Sequence, residues 1–156
     1  SIFSDMNAQI RTVRYFNVFG AGMARGDYRV MAKFAASIVD RKPITVFGGG
    51  AQTRSFCYVT DAVVGSLLAL AKGDKMPYNI GNPALEVTML ELARAFARLG
   101  GGTVEYVTPP DAYQHEPRRR RPNIARLAAL GFTPEIGTEE GVSRFLDWAR
   151  EAYASA

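Results

Sequence analysis

The chain has 156 residues, of which 47% are hydrophobic, and a formal net charge of +4; this is enough apolar content to bury the core of one domain and excludes a disordered polymer. The four arginines at 118–121 equal the whole charge excess, so basicity is local, and neither zinc-finger spacing nor an aromatic RNA-binding signature accompanies it, which argues against a nucleic-acid partner. The single cysteine, Cys57, rules out an internal disulfide and suits a reducing cytoplasm, no apolar run approaches the roughly 20 residues of a membrane span, and the first residues lack the pattern of a secretory leader.

In chain order, residues 12–18 are rich in β-branched and aromatic side chains and end in Gly20-Ala21-Gly22, which predicts a buried strand running into a loop. A helix is expected over 28–40, where Val30, Met31, Phe34, Ala35 and Ile38 recur at spacings of three and four and Pro43 stops the pattern. Short strands are expected at 44–47 and 55–59 on either side of Gly48-Gly49-Gly50, a glycine loop that reads as a hairpin turn whose outgoing strand presents Arg54. Thr60-Asp61 should cap a helix over 62–72, with Val63, Leu67, Leu70 and Ala71 marking its apolar face and Gly73 ending it. Residues 77–80 read as a strand broken by Gly81-Asn82-Pro83, and Thr88 and Glu91 form a capping box opening a helix that runs to Leu99 and is closed by Gly100 to Gly102. A strand over 103–107, a long loop from Pro109-Pro110 carrying the arginines, and helices over 124–130 and 138–153 complete the chain, the last helix burying Val142, Phe145, Leu146 and Ala149.

Strands and helices therefore alternate, but the strands are short, and a lone apolar strand such as 12–18 normally lies inside a parallel sheet covered on both faces. With no obvious run of βαβ units to build that sheet, the segment reads as part of something larger.

Few chemical motifs stand out. Gly20-Ala21-Gly22 fails as a dinucleotide fingerprint because Arg25 stands where the third glycine is needed, and Gly48 to Gly50 is no P-loop because the Lys-Ser/Thr ending is missing. The only histidine, His115, sits beside Glu116 on a loop, where a surface role outranks acid-base chemistry. No nucleophile elbow, histidine pair or cysteine cluster is present, so neither a catalytic nucleophile nor a metal ligand set is assigned, and Asp61 is read as a cap rather than a base. The arginine run remains. Adjacent guanidiniums repel one another, and the guanidinium fork matches phosphate oxygens. On its own the run fits a solvated basic loop or a nucleic-acid patch better than a small-ligand site, but Arg54, behind the glycine loop, offers a second fork.

Five blocks in order carry a resemblance: Arg14-Tyr15-Phe16-Asn17-Val18-Phe19-Gly20; Asp27-Tyr28-Arg29-Val30; Val46-Phe47-Gly48-Gly49-Gly50-Ala51-Gln52-Thr53-Arg54-Ser55-Phe56-Cys57-Tyr58-Val59; Tyr78-Asn79-Ile80-Gly81-Asn82; and Glu116-Pro117-Arg118-Arg119-Arg120-Arg121-Pro122. Together they resemble the extended short-chain dehydrogenase/reductase family of nucleotide-sugar epimerases, dehydratases and decarboxylases, with the UDP-glucuronate decarboxylases the nearest pattern. Small departures are Ala21, where the family usually has proline, and Asn123, where it usually has aspartate.

The resemblance implies an α/β fold in which the chain is the C-terminal, substrate-binding portion of such an enzyme, lacking most of the Rossmann sheet. Residues 11–20 would be the last Rossmann-type strand and loop, and 21–156 the nucleotide-sugar-binding region. It further implies that Asn17 approaches the substrate diphosphate, that Val30, Thr45 and Phe47 border the nucleotide, that Arg54 and Arg120 clamp the diphosphate, and that Tyr15 and Phe16 flank the nicotinamide end of NAD. In the complete enzyme a Tyr-x-x-x-Lys pair supplies the base for hydride transfer from sugar to NAD. No tyrosine here has a lysine four residues later, so the expectation is a chain that binds a UDP-sugar, holds NAD weakly or not at all, and does not turn over alone. The alternative is a non-catalytic truncated module that self-associates: in a full-length enzyme the 12–18 strand and the face of the 28–40 helix would pack against the cofactor domain, so here they are expected to leave an apolar surface and an unpaired strand edge, most simply covered in a two-fold dimer.

Overall fold

The apolar run at 12–18 is two strands, because Asn17 takes a left-handed conformation with φ of 44°, which asparagine tolerates better than most non-glycine residues. The bend separates β1 (Val13–Tyr15) from β2 (Val18–Phe19) and hands the chain from one strand pair to another. The computed structural model describes residues 9–109 and 117–154; the His115 and Glu116 readings lie outside them. The remaining elements are α1 (Val30–Val39), β3 (Ile44–Phe47), β4 (Thr53–Ser55), β5 (Cys57–Tyr58), α2 (Val59–Lys72), β6 (Tyr78–Ile80), β7 (Glu86–Thr88), α3 (Met89–Gly100), β8 (Val104–Val107), β9 (Arg119–Arg120), α4 (Ala125–Ala128) and α5 (Thr138–Ala154).

Parallel pairs dominate this mixed α/β fold. β1 lies beside β6, β2 beside β5 and β3 beside β8, all parallel, while β4 is the centre of a three-stranded sheet, antiparallel to β7 and parallel to β9. The glycine loop is therefore not a hairpin, since β3 and β4 belong to different sheets. Gly50, at φ of 64°, folds the loop back tightly; a Cβ there would lie 2.7 Å from Val46 Cγ1 and 3.0 Å from the Leu90 backbone nitrogen. Leu90 N–H donates to Gly50 O and Met89 N–H to Gln52 O, so the loop closes over the start of α3. There the expected capping box forms, Glu91 N–H donating to Thr88 Oγ1 at 3.0 Å and Thr88 N–H to Glu91 Oε2 at 2.8 Å.

Two cores result. The larger packs α1, α3 and α5 with β3 around Phe19, Phe34, Phe96, Phe145 and Tyr153, whose rings meet mainly edge to face. The smaller joins Cys57, Ala62, Ala69, Tyr78, Ile80, Leu127 and Phe132 beneath α2.

Helix burial corrects two expectations. The face of α1 expected to lie bare is buried through Met31, Ala32, Phe34, Ala35 and Ile38. The face of α2 expected to be core is the exposed one: Val63, Leu67 and Leu70 are 52, 59 and 64% exposed, whereas α2 buries Asp61, Ala62, Gly65 and Ala69. Small residues let α2 approach closely, and a Cβ on Gly65 would already sit 3.2 Å from Ile80, Leu127 and Phe132. α2 also begins at Val59, absorbing the end of the expected 55–59 strand, and Asp61 accepts a hydrogen bond from Ile136 N–H at 3.1 Å rather than capping its own helix.

Candidate functional site

β4 organises the site. Successive residues of a strand point to opposite faces, and residues in register on neighbouring strands share a face. Arg54 is in register with Val87 on one side and Arg120 on the other, while Thr53 is in register with Arg119 and Ser55 with Glu86. Arg54 and Arg120 are thus adjacent on one face, and Thr53, Glu86 and Arg119 share the opposite one. The run that sequence reading placed on a loop is in part a strand, and pleating sorts its arginines by parity.

Arg54 is only 9% exposed. Its Nη1 donates to Thr53 O and Pro117 O, both at 2.8 Å, and its Nη2 to Gln52 Oε1 at 3.4 Å. A buried guanidinium held by main-chain carbonyls is fixed in direction, which suits its fork to an anion brought alongside. Asn17, one bend away, donates from Nδ2 to Ser55 O at 2.9 Å, and Cys57 N–H returns a bond to Asn17 O at 3.2 Å. This places Asn17 against the end of β4, one residue from Arg54.

Val30, Thr45 and Phe47 line one cavity of about 590 Å³, together with Phe34, Gln52 and Met89. Gln52 belongs to both the cavity wall and the hydrogen bonds of Arg54, so it links Arg54 to a cavity whose walls also carry Lys33, Asp40 and Lys42. Thr45 Oγ1 is directed to Glu105 Oε1 at 3.0 Å. Tyr15 and Phe16 stand apart from this cavity. Tyr15 is exposed, pairs its hydroxyl with Ser66 Oγ at 2.9 Å, and lines a separate cleft of about 400 Å³ with Gly20, Gly22 and Val63; Phe16 N–H donates to Ile80 O at 2.9 Å, continuing the β1–β6 ladder.

Sequence reading missed Glu86 and Gln52. Glu86 accepts from Thr53 Oγ1 at 2.6 Å and from Arg119 Nε and Nη2 at 2.7 Å each, and Arg121 Nε lies 4.0 Å from it. Its hydrogen bonds from Arg119 and then from Thr53 pull its pKa down to about 2. No spacing signal marks such a residue, because its partners are 33 positions away in each direction. Cys57 is buried, and desolvation followed by the nearby Asp61 charge raises its thiol to about 12, so it is no nucleophile. Among the described residues no His, Cys, Asp or Glu group could hold a metal, and no helix is long and apolar enough to cross a membrane.

The NAD dependent epimerase/dehydratase family profile matches residues 2–81. The chain belongs to this family. UDP-glucuronic acid decarboxylase 1 of Arabidopsis thaliana is 39% identical over 142 residues, spanning 88% of the chain and 32% of that enzyme. The chain thus spans about a third of the length of the curated relatives it matches. An epimerase from Methanothermobacter thermautotrophicus superposes with a TM-score of 0.86 at 25% identity, over 99% of the chain and 47% of that structure. The UDP-glucuronic acid 4-epimerase of Bacillus cereus, solved with UDP-glucuronic acid and NAD, gives 0.80 at 23% identity over 96% and 48%. This family member therefore carries the fold of about half of such an enzyme.

Proposed function

We propose that the chain is the nucleotide-sugar-binding part of an NAD-dependent UDP-sugar decarboxylase, epimerase or dehydratase. The observation that supports this best is the register of Arg54 with Arg120, with Arg54 hydrogen-bonded to Gln52 in the wall of the cavity that Val30, Thr45 and Phe47 also line. A nucleoside diphosphate has a planar apolar end and a doubly charged end about one nucleoside apart. The cavity takes the first, and two guanidiniums on one face of the β4–β9 pair take the second. Asn17 supplies an amide beside them. The relatives named as acting on UDP-glucuronic acid support a UDP-sugar over other nucleotides.

NAD fits this chain only in part. Tyr15 and the cleft beside it could meet the nicotinamide end, but the described residues hold no glycine-rich strand-to-helix turn to cradle the pyrophosphate, since Gly20 and Gly22 lead into a loop and not into a helix N-terminus. NAD when bound supplies hydride acceptance. The chain's own residues bind and orient the sugar nucleotide, and no tyrosine-lysine pair is present to act as base. On this reading the chain alone binds UDP-sugars without converting them, and product from UDP-glucuronate and NAD would refute it.

A second reading, that the chain self-associates, is favoured by the bare apolar face of α2, where Val63, Val64, Leu67 and Leu70 are all exposed. Among the described residues, β1 is paired on one side only, with β6. A soluble protein seldom leaves such a face and edge open together, and a two-fold dimer would cover both.

A further inference from the structure

The arginine run does two jobs, and Glu86 is what separates them. β9 is two residues long and makes its register with β4 through Thr53 N–H, which donates to Arg118 O at 2.9 Å. A parallel pair this short has little hold of its own. On the face opposite Arg54, Glu86 of β7 reaches across β4 to take both Nε and Nη2 of Arg119 while also accepting from Thr53 Oγ1. One carboxylate thereby ties all three strands of the sheet. Arg121, also odd, leans to the same carboxylate at 4.0 Å and donates from Nε to Pro83 O at 2.9 Å. Arg120, the even residue between them, is left on the Arg54 face.

We propose that Glu86 is a positioning residue for anion binding: it fixes Arg119 and Arg121 on the far face so that Arg120 is presented beside Arg54. Arg119 and Arg121 then serve as struts rather than phosphate ligands, although the sequence offers four equivalent cations. Without Glu86 the four guanidiniums would repel one another with nothing to set their order, and the strand could slip by one residue, which would put Arg119 or Arg121 on the binding face. This inference rests on the nucleotide-sugar reading above.

The test uses the whole chain and UDP as the probe, measured by calorimetry, with circular dichroism to confirm that each variant is folded. Glu86→Ala should weaken UDP about tenfold, because with Arg119 unanchored Arg120 is no longer presented beside Arg54. Arg119→Ala should weaken UDP by a similar factor, and the double variant should be no worse than either single, since both remove the same lock. Reversing the pair, with Glu86→Arg and Arg119→Glu together, should recover much of the affinity, which a merely structural loss would not do. UDP binding by Glu86→Ala equal to wild type overturns the proposal. So does a strong loss in Arg119→Ala with none in Glu86→Ala, which would make Arg119 a direct ligand. If wild type does not bind UDP, the functional reading itself fails. The lock is then read separately from the Arg119 Nε–H proton resonance, which Glu86→Gln should shift and speed in exchange; an unchanged signal would show that the lock is absent too.

Discussion

The two sides of this molecule are finished to different degrees. On one side α1, α3 and α5 close over β3 and bury an aromatic core, with Phe96 and Phe145 fully enclosed; the cavity and the arginine-bearing sheet sit against that side. On the other, α2 covers β5 and β6 with small residues and turns Val63, Leu67 and Leu70 to solvent. Hydrophobic periodicity is equally visible in α1 and α2. It shows that a helix has an apolar face, and says nothing of whether the same chain supplies its cover. α1 finds its cover in α5, more than a hundred residues on, whereas the ridge of α2 finds none among the described residues.

The largest effects should separate the two sides directly. Phe145→Ala removes a ring in contact with Phe19, Trp148 and Tyr153 and should cost about 3–5 kcal/mol in denaturant unfolding. Leu67→Ala on the bare ridge, measured at a concentration where the chain is monomeric, should cost under about 0.5 kcal/mol. Equal losses would mean that the ridge of α2 is covered after all. Next in size, Arg54→Ala and Arg120→Ala should each weaken UDP by about 1.5–3 kcal/mol, with unfolding midpoints far less affected than by Phe145→Ala; a binding loss that tracked the fall in stability would place these arginines in the scaffold instead.

Smaller effects sharpen the contrast. Light scattering over a concentration series should show wild type self-associating, and Leu67→Glu with Leu70→Glu should return a monomer of unchanged secondary structure; a wild-type monomer at every concentration would remove the dimer reading. Cys57, beneath α2 and with its thiol raised to about 12, should resist alkylation at neutral pH and react only when that side opens, so labelling as fast as in denaturant would show α2 undocked. The mildest effect is one of pH. The pKa of Glu86 is depressed from 4.5 to about 2 in the folded chain, so the stability its ion pair contributes is present above about pH 4.5 and fades as pH falls toward 2. In Glu86→Gln that part of the acid transition should flatten.

Legibility from sequence followed the range of the forces involved. The capping box at Thr88 and Glu91, the extent of β3 and the apolar stripe of α5 are local patterns and form as expected. The break at Asn17 was hidden because the run around it is uniformly β-forming, and the bend answers to a bond with Ser55, 38 residues away. The glycine loop misled because a turn between two strands resembles a hairpin until their partners are known, and those partners, β8 and β7 with β9, come later in the chain. In the candidate site, Arg54 stands out in the sequence as a fork behind the glycine loop, whereas Arg120 is singled out from its three neighbours only by family resemblance, and pleating puts that even residue on the Arg54 face. Glu86 carries no mark in the sequence, since its role exists only once three distant strands meet.

The central claim is a built nucleotide-sugar site rather than a diffuse basic patch, and competition tests it most directly. With labelled UDP bound to the chain at moderate salt, UDP-glucuronate should displace it and duplex DNA should not. Displacement by DNA as readily as by the UDP-sugar would contradict the account.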